Sequence, residues 1–195
     1  MRLAGDVGHN IVHLRDDVDD AAAGLVESLV ADEPPYLDAH LELRHLDEYT
    51  RVLGATERSF EMDYVFPEDF EYEHDVELVT SEMPFDQPLP DHFLSIKFTT
   101  VHELWRPWCI AMVDGEIASI VETVRTGPRG VECGVNTAPP FRRRGCAAAA
   151  TAGWAQLEAQ PGKSLFYSTD RANVASQGVA RRLGLAYVGA GVALT

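Results

Sequence analysis

Cysteine is scarce. Cys109, Cys133 and Cys146 are the only three in 195 residues, an odd number whose spacing fits neither a disulfide framework nor a metal motif. That predicts a reducing, cytoplasmic setting with each thiol a small core side chain, and no metal. Long apolar runs are missing as well, so no segment is expected to span a bilayer. The opening residues Met1-Arg2-Leu3-Ala4-Gly5-Asp6 lack the apolar stretch of a signal peptide. Two common phosphate-binding patterns are absent. There is no Gly-x-x-x-x-Gly-Lys-Ser/Thr run and no Gly-x-Gly-x-x-Gly after a strand, which disfavours a P-loop and a dinucleotide fold. Basic residues are few in the first half. Residues 1–100 carry 24 Asp and Glu against 6 Lys and Arg, net −18, whereas residues 101–195 carry 7 against 10, net +3. An acidic half repels nucleic acid and anionic membrane, and it would attract a cationic small molecule.

What is present suits one globular core: 46% apolar and 24% charged residues in a chain too short for two ordinary domains. Val18, Ala22, Leu25 and Leu29 fall on one face of a helix, preceded by aspartates and stopped by Pro34-Pro35. A second helix is expected over 37–53, closed by Gly54, and a strand over 59–66. The acidic stretch 67–75 reads as a boundary. It separates a mostly helical extension, 1–70, from a main domain, 71–195. Strands are then expected at 76–80, 108–113, 116–124, 130–137, 164–168 and 185–194. Asp114-Gly115 is a hairpin turn, and helices are expected at 147–155 and 174–183. The order predicts an α/β (α+β) fold with a sheet and helices on its faces.

The informative stretch runs from Val135-Asn136-Thr137 through Pro139-Pro140 to Arg142-Arg143-Arg144-Gly145-Cys146-Ala147-Ala148. A strand ends, prolines turn the chain, three arginines gather, and a glycine opens an alanine-rich helix. A helix start exposes backbone N–H groups and a partial positive charge, and glycine allows an anion close to the backbone. Arginines add charge suited to phosphate. The chemistry fits a diphosphate.

Arg142-x-x-Gly145-x-Ala147, placed between a strand and a helix, resembles the pyrophosphate-binding motif of the GNAT superfamily of acyl-CoA-dependent N-acetyltransferases. Downstream, Asn173-Val174-Ala175-Ser176 and Arg182-Leu183-Gly184-Leu185 resemble that family's second signature. The resemblance covers about residues 76–195; residues 1–70 resemble no family.

The resemblance implies a mixed, mostly antiparallel central sheet flanked by helices, with acetyl-CoA as co-substrate. It implies that Val135, Asn136 and Thr137 meet the pantetheine and acyl group. Arg142, Arg143, Arg144, Gly145, Cys146, Ala147 and Ala148 would hold the diphosphate, and Asn173 and Ser176 would touch the coenzyme near its thiol end. A primary amine would attack the thioester directly. The acid for the leaving thiolate is open, because Ala180 stands where many members carry a tyrosine; water, Ser176 or Tyr167 could serve, and Tyr187 is not the equivalent residue. The base is open too: Glu132 is the first candidate and Glu122, on the preceding strand, the second. His102-Glu103, Trp105 and Trp108 could line an acceptor pocket. The expected partner is a small cationic amine, with a homodimer left open. The competing readings are a non-catalytic acyl-CoA-binding module and a protein or peptide N-terminal acetylase.

Overall fold

The computed structural model describes residues 1–5, 8–96 and 98–195. The fold is mixed α/β, with mostly antiparallel strands and four α-helices among the described residues. The chain forms two compact units. One comprises Met1–Tyr64, Ser168–Ser176 and Ala186–Thr195; the other comprises Val65–Tyr167 and Gln177–Leu185.

The first unit contains β1 (Arg2–Gly5), β2 (Asn10–His13), α1 (Asp20–Asp32), α2 (Leu46–Leu53), β3 (Arg58–Val65) and β9 (Ala186–Leu194). Its strand order is β2-β1-β9-β3, with β1 antiparallel to both its neighbours. The first 64 residues therefore carry three strands, where a mostly helical segment is expected from sequence. Asp19 starts α1 by accepting the Ala22 N–H at 2.8 Å. The inward face of α1 differs from the expected one. Val26 is sealed and Leu29 and Val30 are partly buried, while Leu25 is 47% exposed. Helix α2 begins nine residues later than expected, because the preceding amides are engaged elsewhere. Asp38 takes the His40 N–H at 2.8 Å, and the buried Glu33 takes those of Arg44 and His45 at 2.6 and 3.1 Å. Glu33 thus supplies the cap that α2 lacks locally. Leu3, Val26, Tyr36, Tyr49 and Val192 lie in this unit's core.

The second unit contains β4 (Glu77–Thr80), β5 (Trp108–Val113), β6 (Glu116–Thr126), β7 (Gly130–Thr137), α3 (Cys146–Glu158) and the start of β8 (Ser164–Asp170). Most of α4 (Val174–Arg182) also belongs to it. Strands β4 to β7 are antiparallel neighbours, and β8 joins β7 in parallel over Gly130–Cys133 and Ser164–Tyr167. The β5–β6 turn has Asp114 at φ 54° and Gly115 at φ 79°, both left-handed, as the two-residue hairpin requires.

Helix α3 lies against β4, β5 and β6, and ten of its thirteen residues are buried. Small residues allow this. A Cβ on Gly153 would sit 2.6 Å from Cys109 Sγ and 2.7 Å from Leu78 Cδ1. A buried polar chain fixes the helix's far end: Trp154 Nε1 donates to Thr123 Oγ1 at 3.0 Å, and Thr123 Oγ1 donates to Glu158 at 3.0 Å. Lys163 Nζ donates to the other Glu158 oxygen at 2.8 Å. All three cysteines are buried, and burial pushes the Cys109 thiol up to about 12. Among the described residues no helix is long and apolar enough to cross a membrane, and no group of three or more His, Cys, Asp or Glu side chains could hold a metal.

Candidate functional site

Strand β7 leads into the site. Val135, Asn136 and Thr137 pair with Val121, Ile120 and Ser119 of β6, and all three stay partly exposed. Ser119 Oγ ties this end together, donating to the Asn136 carbonyl at 3.0 Å and pairing with Thr137 Oγ1 at 2.9 Å. The Ala138 N–H then reaches the Ala118 carbonyl at 3.0 Å. Pro139–Phe141 form one 3-10 turn, anchored by the buried Phe141 ring, over which the Arg144 guanidinium lies at 5.4 Å.

The turn into α3 is left-handed twice. Arg143 has φ 61° and Gly145 φ 88°. A non-glycine residue held there costs about 1–2 kcal/mol, and such strain clusters at binding sites. Gly145 is the N-cap, with no side chain to cap the helix. The helical ladder begins with the Ala149 N–H on the Gly145 carbonyl at 3.0 Å. The amides of Cys146, Ala147 and Ala148 therefore precede the ladder. Cys146 and Ala148 turn their side chains into the core, being 1% and 2% exposed, so the helix start is bare backbone on a rigid support.

Cations surround this backbone. Arg142, Arg143 and Arg144 are all exposed, and Arg142 Nε approaches the Thr137 carbonyl at 3.4 Å. A fourth arginine enters from α4. Both terminal nitrogens of Arg182 lie 3.3 Å from where a Gly145 Cβ would stand, and Arg182 Nε donates to Tyr72 Oη at 2.7 Å. In the sequence, Arg182 belongs only to the turn signature Arg182-Leu183-Gly184-Leu185. Its sole local signal is a basic residue in a helix's last turn. Tyr72 lies in the acidic stretch expected to be a boundary, and nothing in sequence spacing connects the two.

The structure brings Val135–Thr137 and Arg142–Ala148 together with Arg182 in one unit. Asn173 and Ser176 belong to the other unit, where the Asn173 side-chain oxygen accepts the Ser176 N–H at 3.0 Å and caps α4. Ala180 is fully buried. Tyr187 gives its hydroxyl to the Leu37 carbonyl at 2.7 Å, and burial raises its pKa.

The two candidate carboxylates differ. Glu132 is engaged by Arg125 Nη1, at 2.8 and 2.7 Å to its two oxygens. To act as a base it would have to give up this pair. Glu122 is 7% exposed and accepts the Trp105 N–H at 2.8 Å. Burial raises its pKa above the ordinary glutamate value, and the Trp105 amide partly offsets this.

No family model and no curated relative matches this chain. Solved structures do. One, described as a candidate acetyltransferase of the GNAT family from Novosphingobium aromaticivorans, aligns with TM-score 0.55 at 17% identity over 72% of this chain and 65% of that one. An acetyltransferase of the GNAT family from Colwellia psychrerythraea aligns with TM-score 0.50 at 15% identity, over 75% of this chain and 60% of that one. A functionally unknown conserved protein from Staphylococcus epidermidis aligns with TM-score 0.51 at 16% identity, over 88% and 77%. This chain spans less than two thirds of the length of the first two. At these identities the likeness concerns architecture, and by architecture this chain has the GNAT acetyltransferase fold.

Proposed function

We propose that this chain is a GNAT-superfamily N-acetyltransferase that moves an acetyl group from acetyl-CoA to a primary amine by direct attack. The observation that carries the reading is the start of α3. Uncapped amides and the left-handed Gly145 of the motif Arg142-x-x-Gly145-x-Ala147 meet there the guanidinium of Arg182, which lies outside the motif. These groups fit a diphosphate: backbone donors with a helix dipole behind them and a guanidinium beside them. Cys146, Ala147 and Ala148 would give amides, and Arg142, Arg143, Arg144 and Arg182 would give charge. Backbone groups of Val135, Asn136 and Thr137 would position the pantetheine and acyl carbonyl. By resemblance, Asn173 and Ser176 would add contacts near the thiol, with the Ser176 hydroxyl or water serving the leaving thiolate. Acetyl-CoA supplies the activated acyl group; the chain's own task is orientation and proton handling. The net charge of −18 over residues 1–100 supports a cationic acceptor.

Acetyl-CoA should raise the melting temperature through linkage, and Gly145→Glu, which places a bulky anion where the diphosphate belongs, should abolish the rise. Equal shifts in wild type and variant would remove the coenzyme from this turn. The buried Ala180 favours a second reading, a module that binds acyl-CoA without turnover. Thiol release from acetyl-CoA against a panel of amines separates the two.

A further inference from the structure

Two carboxylates are buried in the unit that carries the β7–α3 turn, Glu158 at 5% exposure and Glu122 at 7%. Both Glu158 oxygens are taken, by Thr123 and Lys163. Glu122 is different. One oxygen holds the Trp105 N–H, and the other has no protein partner among the described residues. Burying a carboxylate without a cation is costly, and holding one loop amide does not require a charge, since a glutamine oxygen would do the same.

Its position gives the missing reason. The registers of β5, β6 and β7 place Trp108 and Gly134 directly opposite Glu122, one on each side. Opposite residues of an antiparallel pair share a face. Gly134, which has no side chain, immediately precedes Val135–Thr137, the segment assigned above to the acyl group. The space that a Gly134 side chain would fill is taken by Val124, whose Cγ1 lies 2.5 Å from where the Cβ would stand, so Glu122 neighbours that segment across one strand spacing and beside Val124.

The charged groups on the neighbouring elements are already engaged. In the turn that supplies the Trp105 amide, Arg106 donates to the Ser81 carbonyl. Two residues before Gly134 on β7, Glu132 is held by Arg125 from β6. Thr123, with Glu158 and Lys163 behind it, points to the opposite face of β6.

We propose that Glu122, not Glu132, is the general base of the transfer, its free oxygen taking a proton from the acceptor ammonium. The freed nitrogen lone pair then forms a C–N bond to the thioester carbonyl carbon. The C–S bond breaks as the tetrahedral adduct collapses, and its electron pair leaves with sulfur. The second proton lost by nitrogen goes to the thiolate or to water, and the Glu122 proton returns to solvent. Amide, free coenzyme A thiol and one proton result.

This inference rests on the acetyltransfer reading, and the test separates the two. Wild type and Glu122→Gln would be assayed for thiol release from acetyl-CoA with spermidine, cadaverine, lysine and an aminoglycoside across pH, with the acetyl-CoA thermal shift measured alongside. The amide oxygen of the variant can still accept the Trp105 N–H, so the fold and the thermal shift should be kept. Near neutral pH kcat/KM should fall about 10²–10⁴-fold. The wild-type profile should level off once Glu122 is ionised, whereas the variant's should keep climbing to the ionisation of the amine itself. A variant within about threefold of wild type, or a loss that leaves the two pH profiles parallel, would overturn the role of Glu122. Wild type that shows the thermal shift but releases no thiol with any amine would overturn the acetyltransfer reading, and this role with it.

Discussion

Replacing Gly145 by alanine separates backbone strain from coenzyme binding. Gly145 has φ 88°, so any side chain there costs about 1–2 kcal/mol. For a chain of this length that is a fall of about 2–8 °C in melting temperature. The new Cβ would also stand 3.3 Å from both terminal nitrogens of Arg182, tight enough that the guanidinium must shift by tenths of an ångström. Arg182 is exposed and can yield, so the contact adds little to the stability loss. It narrows the gap between backbone and guanidinium in which a phosphate oxygen would lie, and acetyl-CoA affinity should fall about tenfold or more, about 1.4 kcal/mol. Gly162 provides the control, since it has φ 80° and nothing within 4 Å of its absent Cβ. Gly162→Ala should lose similar stability and keep the full acetyl-CoA shift. Calorimetry of the three proteins with and without acetyl-CoA decides the matter. Equal ligand shifts in Gly145→Ala and Gly162→Ala would refute the reasoning.

Gly153→Ala should destabilise by about 1–3 kcal/mol in urea melts, because overpacking against Cys109 and Leu78 outweighs the roughly 1 kcal/mol of helix propensity that alanine gains. Gly24→Ala, in open space on α1, should instead stabilise by about 0.5–1 kcal/mol. Glu122→Gln should raise stability at neutral pH. A raised carboxylate pKa means that the folded state holds the proton more tightly than the unfolded one, so stability falls as pH rises from the unfolded to the folded value, and a neutral amide avoids that loss. Melting curves should converge below about pH 4, where the unfolded glutamate is also protonated. With a doubly charged amine as acceptor, kcat/KM should fall with added salt if the acidic residues of the first half steer it, and a flat salt profile would remove that role.

Elements with strong local chemistry were legible in the sequence. Asp114-Gly115 fixed the β5–β6 hairpin, and β-branched runs marked β6 and β7. The Gly145 turn with its alanine run located α3 to within a few residues. Strands β1 and β2 escaped because each has only four residues, and β1, on which β2 pairs, is itself held by β9 at the far end of the chain. Helix α2 was overextended because Glu33, eleven and twelve residues upstream, accepts the amides of Arg44 and His45. The same limit applied at the site. Motif spacing identified Arg142–Ala148 but gave no sign that Arg182 would lie beside Gly145. The sequence left both Glu132 and Glu122 as candidates; only side-chain geometry distinguishes one held by Arg125 from one with a free oxygen.

Helix α3 is both the most buried helix of its unit and the proposed anchor of the diphosphate. Its first-turn amides are held in place by core contacts, so ordering them is an entropic cost met during folding and not at each binding event. An anchor of this kind can treat every acyl-CoA alike, because nothing in it senses the acyl chain. Selection among acyl groups and acceptors would then fall to residues elsewhere in the chain. Those residues could change substrate preference through successive substitutions while the grip on the coenzyme stayed constant.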